Sequence, residues 1–93
     1  MRNTLITATT VVLTLAIATT STFAANPYFC EKYASKAVNA ESVNLDDGCG
    51  LTGARWSFDF AGHYSWCLTV SKGQANSESW ARKTSIIDCE SDY

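Results

Sequence analysis

The sequence predicts an all-α fold: a small three-helix up-down-up bundle stapled by two disulfides. Three observations predict it. Apolar residues recur at helical spacing in three segments, each with its own start signal. No segment shows the sustained apolar–polar alternation of a strand. Four cysteines, Cys30, Cys49, Cys67 and Cys89, sit in a chain of 93 residues. An even cysteine count in a chain this short points to covalent staples.

The first helix opens in "ANPYFC". Asn26 suits the N-cap and Pro27 the first helical position, where a missing N–H costs nothing. Phe29, Cys30, Tyr33, Ala34, Ala37 and Val38 recur on one face, and Lys32, Lys36 and Glu41 fall off it. The pattern fades near Asn44 to Asp47, and Gly48 can terminate it. "GCGLTGAR", with three glycines, reads as a loop that carries Cys49. The second helix is expected from a cap at Ser57 to about Leu68, with Asp59 in its first turn. Its Phe60, Tyr64, Cys67 and Leu68 form one stripe, while Phe58, Ala61 and Trp66 lie elsewhere. A helix apolar nearly all round is either central or exposes aromatics. The third helix begins at Ser71, where Ser71 and Gln74 match a capping box. Ala75, Arg82, Ile86 and Cys89 share a face, and Trp80 and Ile87 form a neighbouring stripe.

The N-terminal stretch reads as a secretory signal peptide over residues 1–24. Arg2 gives the positive start, Leu5 to Ala18 the apolar run, and Thr22-Phe23-Ala24 a small-residue cleavage site. The apolar run is too short and too rich in Thr for a stable membrane span. Cleavage after Ala24 leaves one domain, residues 25–93, with all four cysteines and no membrane span. Export to the periplasm or beyond suits disulfides. The 18, 17 and 21 residues between successive cysteines leave no C-x-x-C pair for a zinc knuckle or redox motif.

Helix geometry selects the pairing. Cys30 and Cys49 are separated by about 22 Å of helix, and the remaining four residues recover at most about 13 Å. The remaining gap exceeds the ~7 Å limit on Cα separation in a disulfide. Cys67 and Cys89 fall near opposite ends of the third helix. Up-down-up packing brings Cys30 to Cys67 at one end and Cys49 to Cys89 at the other.

Without the leader, six Lys and Arg face nine Asp and Glu, a net charge of −3. The cations are scattered, so no phosphate-binding patch forms and nucleic acid is not an expected partner.

The assembled pattern runs C-x-x-Y-A-x-x-A-V from Cys30, N-x-x-x-x-C-G-x-x-G-x-R-W from Asn44 to Trp56, H-x-x-W-C from His63, and E-x-x-x-R-x-x-x-I-x-x-C from Glu78 to Cys89. It resembles small exported four-Cys bacterial proteins, chiefly proteobacterial, of uncharacterised function. The resemblance covers nearly the whole mature chain. It implies a bacterial, periplasmic setting and no particular activity.

His63 and Cys67, four residues apart, could face one metal ion. A closed site needs three or four ligands, and a bridged Cys67 is neither ligand nor nucleophile. No catalytic residue, metal or cofactor is therefore expected. Arg55 beside Trp56 could stack on it. Glu78 and Arg82 are expected as a structural ion pair extended to Asp59, and His63 as a structural side chain packed near Trp66 and the disulfide. So small a core cannot bury all nine aromatics from Tyr28 to Trp80. Trp56, Phe58, Trp66 and Trp80 are the candidate binding aromatics, suited to an envelope glycan or a protein partner. The expected function is a non-catalytic binding or interaction module. The alternative is a structural or stress-related envelope protein without a ligand, and a metal protein or enzyme ranks third.

Overall fold

The computed structural model describes residues 23–92; the expected leader lies outside them except for Phe23 and Ala24. The first helix, α1, spans Pro27–Asp46. Asn26 caps it, its side-chain oxygen accepting the Phe29 amide at 2.8 Å, and Pro27 follows at the first helical position. The helix ends in a Schellman motif. The Cys49 amide donates to the Asn44 carbonyl at 2.9 Å and the Gly48 amide to that of Leu45 at 3.2 Å. Gly48 supplies the required left-handed backbone, with φ of 63°.

Residues 47–59 form the loop. The buried Asn44 holds its start: its amide nitrogen donates to the Leu51 carbonyl at 2.7 Å, and its oxygen accepts the Leu51 amide at 3.0 Å. The same nitrogen donates to Glu41. One side chain thus satisfies both backbone groups of Leu51 and ties the loop to α1.

The second helix, α2, spans Phe60–Cys67 and is capped by Asp59, not by Ser57 as the sequence suggests. The Ser57 hydroxyl accepts the Asp59 amide at 2.9 Å and so turns the chain before the helix. The Asp59 carboxylate then accepts the Gly62 amide at 2.9 Å. The helix gives way at Leu68, which serves as its C-cap.

The third helix, α3, spans Lys72–Ser91 and is capped by Ser71, whose hydroxyl accepts the Gln74 amide at 3.1 Å. The entering chain meets this junction. Ala24 forms an isolated bridge with Ser71, and the Ala25 amide donates to the Val70 carbonyl at 2.8 Å. No strand forms among the described residues.

The helices form an up-down-up bundle stapled by Cys30–Cys67 and Cys49–Cys89, with Cα separations of 5.5 and 5.6 Å. The first bridge joins the start of α1 to the end of α2, so these helices run antiparallel. The second joins the segment just past α1 to the end of α3, so α1 and α3 run parallel. α1 packs against both neighbours, which touch each other far less. The core gathers Ala25, Cys30, Tyr33, Cys67 and Ala75, flanked by Phe29, Tyr64, Leu68 and Val70.

Candidate functional site: a buried arginine between a cup and a groove

Arg82 lies on the inner face of α3 and is only 4% exposed. Its Nε donates to the Arg55 carbonyl at 3.0 Å, and its Nη2 to the Tyr33 hydroxyl at 3.0 Å. The guanidinium also lies 5.1 Å from the centre of the Tyr33 ring. Nη1 is buried and has no hydrogen-bond partner. Burial pushes the Tyr33 phenol above its ordinary value, outweighing the opposing pull of Arg82. The phenol therefore stays neutral and serves as an acceptor.

His63, on α2, is buried against this cluster. Its Nε2 lies 2.9 Å from the Ser57 carbonyl, which can only accept, so Nε2 carries the proton. Nδ1 is then an acceptor, 3.5 Å from Arg82 Nη2. The ring braces the loop against α3.

The expected Glu78–Arg82 ion pair is present at long range, and the hydrogen bonds of Glu78 go to another residue. Glu78 pairs with Arg55 through two hydrogen bonds, one from Nε and one from Nη2 at 3.1 Å. It lies 4.0 Å from Arg82 Nη2. Asp59 does not extend the pair, because its carboxylate is committed to the α2 cap. The fork–fork geometry offered by Arg55 gives Glu78 a better match than the i, i+4 neighbour does. Arg55 is thereby drawn to Glu78, and the arginine over an aromatic face is Arg82.

The four candidate aromatics separate. Trp56 is 9% exposed and belongs to the core. Phe58, Trp66 and Trp80 are exposed at 55%, 40% and 64%. Trp66 leans on Tyr33, ring centres 5.5 Å apart. It borders a cup of about 420 Å³ beside Arg55, Asp59, His63, Glu78 and Arg82. Trp80 borders a groove of about 840 Å³ between α1 and α3, with Val43, Ile86 and Ile87 along its walls. The Lys83 ammonium sits 5.3 Å from the centre of the Trp80 ring. Phe58 lines neither depression.

The sequence places Arg82 on the inner face of α3 but gives no sign of its partners, which lie 27 and 49 residues away. The groove has a legible signal that helix-by-helix reading passes over: Trp80 and Ile87 stand beside the inward stripe of α3 with nothing assigned to cover them.

All four cysteines are bridged, so Cys67 offers His63 no thiolate. Among the described residues no group of three His, Cys, Asp or Glu is placed to hold a metal ion, and no helix is long and apolar enough to cross a membrane. No protein-family model, curated protein or solved structure matches the chain.

Proposed function

We propose that the chain is a non-catalytic interaction module, exported to the periplasm or secreted, that binds a protein partner along the α1/α3 groove. The observation that carries this reading is the groove itself: Trp80 and Ile87 stay 64% and 51% exposed beside it, on two helices tied together by a disulfide. Exposed large apolar side chains around a concave surface mark interaction sites. The aliphatic walls favour a protein over a sugar, and Lys83 already covers a face of Trp80 that a sugar ring would need. Two disulfides suit an oxidising compartment, as does the resemblance to exported four-Cys proteins.

The test is a photo-crosslinking residue placed at Trp80 or Ile87 in producing cells. Adducts are expected from these two positions and not from an exposed position away from the groove, such as Glu31. Equal or absent labelling at all three sinks the reading. In that case a structural envelope role without a ligand stands.

A second reading rests on the cup. Trp66 offers an exposed ring beside Arg55, Asp59 and Glu78, the aromatic-plus-polar setting that suits an envelope glycan. Its test is tryptophan fluorescence against a glycan panel, with loss of the response in Trp66→Ala.

A further inference from the structure

We infer that the fold closes over the bond that follows Ala24, so that the leader is cut while the chain is still open and Ala25 is then sealed in as the first residue of the domain. The inference goes beyond the interaction reading and rests only on its export clause.

Burial begins abruptly here. Phe23 is 88% exposed and Ala24 is exposed, whereas Ala25 is 4% exposed and belongs to the core cluster with Cys30, Tyr33, Cys67 and Ala75. A single peptide bond separates chain that the fold leaves uncovered from chain that it buries. A cut after Ala24 removes no buried side chain, and a cut one residue later takes the Ala25 methyl out of the core. The small residues Thr22 and Ala24, which mark the cleavage site in the sequence, stop where the core starts.

The backbone at this bond is occupied as well. The Ala25 amide, the nitrogen of the bond itself, donates to the Val70 carbonyl at 2.8 Å, and Ala24 pairs with Ser71 in an antiparallel bridge. Val70 and Ser71 are held in turn. The Val70 amide donates to the Cys67 carbonyl at 3.2 Å, and Ser71 caps α3. Cys67 is bridged to Cys30 in the first turn of α1. Disulfide and hydrogen bond together close a small ring through residues 25–30 and 67–70.

A peptidase of this kind takes its substrate as an extended strand and pairs with its backbone. The same backbone groups cannot serve the α2–α3 junction and an enzyme at once, and the Ala25 side chain would have to leave the core. In the folded chain the cutting rate therefore follows the small fraction in which this segment is open. Before the α2–α3 junction folds, none of these contacts exists. The cut itself is a hydrolysis. Water adds across the Ala24–Ala25 amide, Ala24 leaves with the carboxylate, and Ala25 keeps the nitrogen as its α-amine. That nitrogen still carries hydrogens to donate, so the Val70 contact survives processing.

The experiment exposes the full chain to a signal peptidase in detergent micelles in two states: oxidised and folded, and reduced with its cysteines alkylated. The alkylated chain should be cut, and sequencing of the product should read Ala25 first. The oxidised chain should be cut on the order of 100-fold more slowly. Ala25→Glu places a charge at a buried position, so the oxidised variant should be cut about as fast as its own alkylated form. Circular dichroism checks that the oxidised variant keeps its helices. Hydrogen exchange on oxidised wild type needs no variant: the Ala25 amide should be protected like the amides of α1. Equal cutting of the two wild-type states, a freely exchanging Ala25 amide, or an oxidised Ala25→Glu chain as slow as oxidised wild type overturns the inference and leaves the export reading standing. An alkylated chain that is not cut overturns both.

Discussion

Arg82 is a cation held away from water by a carbonyl, a phenol and an aromatic face, with Glu78 at 4.0 Å as the nearest carboxylate. Removing such a group strands its partners, and a buried unpaired acceptor is costly. Arg82→Ala should lower stability by about 3 kcal/mol in urea unfolding of the oxidised chain. Arg82→Lys should recover little, because an ammonium cannot reach the Arg55 carbonyl and the Tyr33 hydroxyl with the same fork. Gly62 is a second residue with a defined reason. A Cβ there would sit 2.5 Å from an oxygen of the capping Asp59. Gly62→Ala should therefore destabilise the chain by about 1 kcal/mol. In an Asp59→Ala background the sign should reverse, because alanine is then simply the better helix former, by up to about 1 kcal/mol. Thermal melts of the four chains check the cycle. Sequence alone placed Arg82 on the apolar face of α3 and paired Cys67 with Cys30. It could not show that Trp56 is buried, because that depends on how a loop of glycines folds back.

At the scale of elements, the two long helices were readable because their ends are written in side chains. Asn26 with Pro27, Gly48 past the end of α1, and Ser71 with Gln74 each satisfy backbone groups by local contacts. The start of α2 was not readable. Ser57 and Asp59 are both good caps, and the choice was made by His63, which takes the Ser57 carbonyl from six residues away. The Glu90 carboxyl at the end of α3 gives a pH prediction. Its affinity for a proton is raised above the ordinary 4.5 by the hydrogen bond with Asp47, so the folded chain binds that proton more tightly than the unfolded chain does. The stability it contributes is complete below the ordinary value and is lost as pH rises through the raised one. The melting temperature should carry this downward component, and Glu90→Gln should remove it.

At the scale of the molecule, most of the architecture followed from length, cysteine count and helix geometry. Helices of fixed rise leave few ways to bring four sulfurs together in pairs. The Cys49–Cys89 bridge closes 40 residues, a loop for which chain entropy gives about 4 kcal/mol. Replacing both cysteines by serine should lower the unfolding free energy by about that amount, measured by urea unfolding with the slope fitted for each chain, because the freed denatured chain exposes more surface. What stayed hidden was the division of the exposed aromatics between two depressions. It depends on α1 packing against both neighbours while α2 and α3 stay apart.

The two bridges interleave along the chain, 30 with 67 and 49 with 89. Covalently, the molecule is two overlapping rings. A single backbone cut anywhere between Cys30 and Cys89 leaves both fragments joined, and a cut between Cys49 and Cys67 leaves them joined twice. Residues 47–59, the long non-helical stretch between α1 and α2, lie mostly inside that doubly spanned interval. The segment a protease would reach most readily is thus the one whose cleavage separates least. After limited proteolysis the chain should run as one band on a non-reducing gel and split into two once reduced. Surroundings rich in proteases would then meet a molecule that can be nicked without being dismantled.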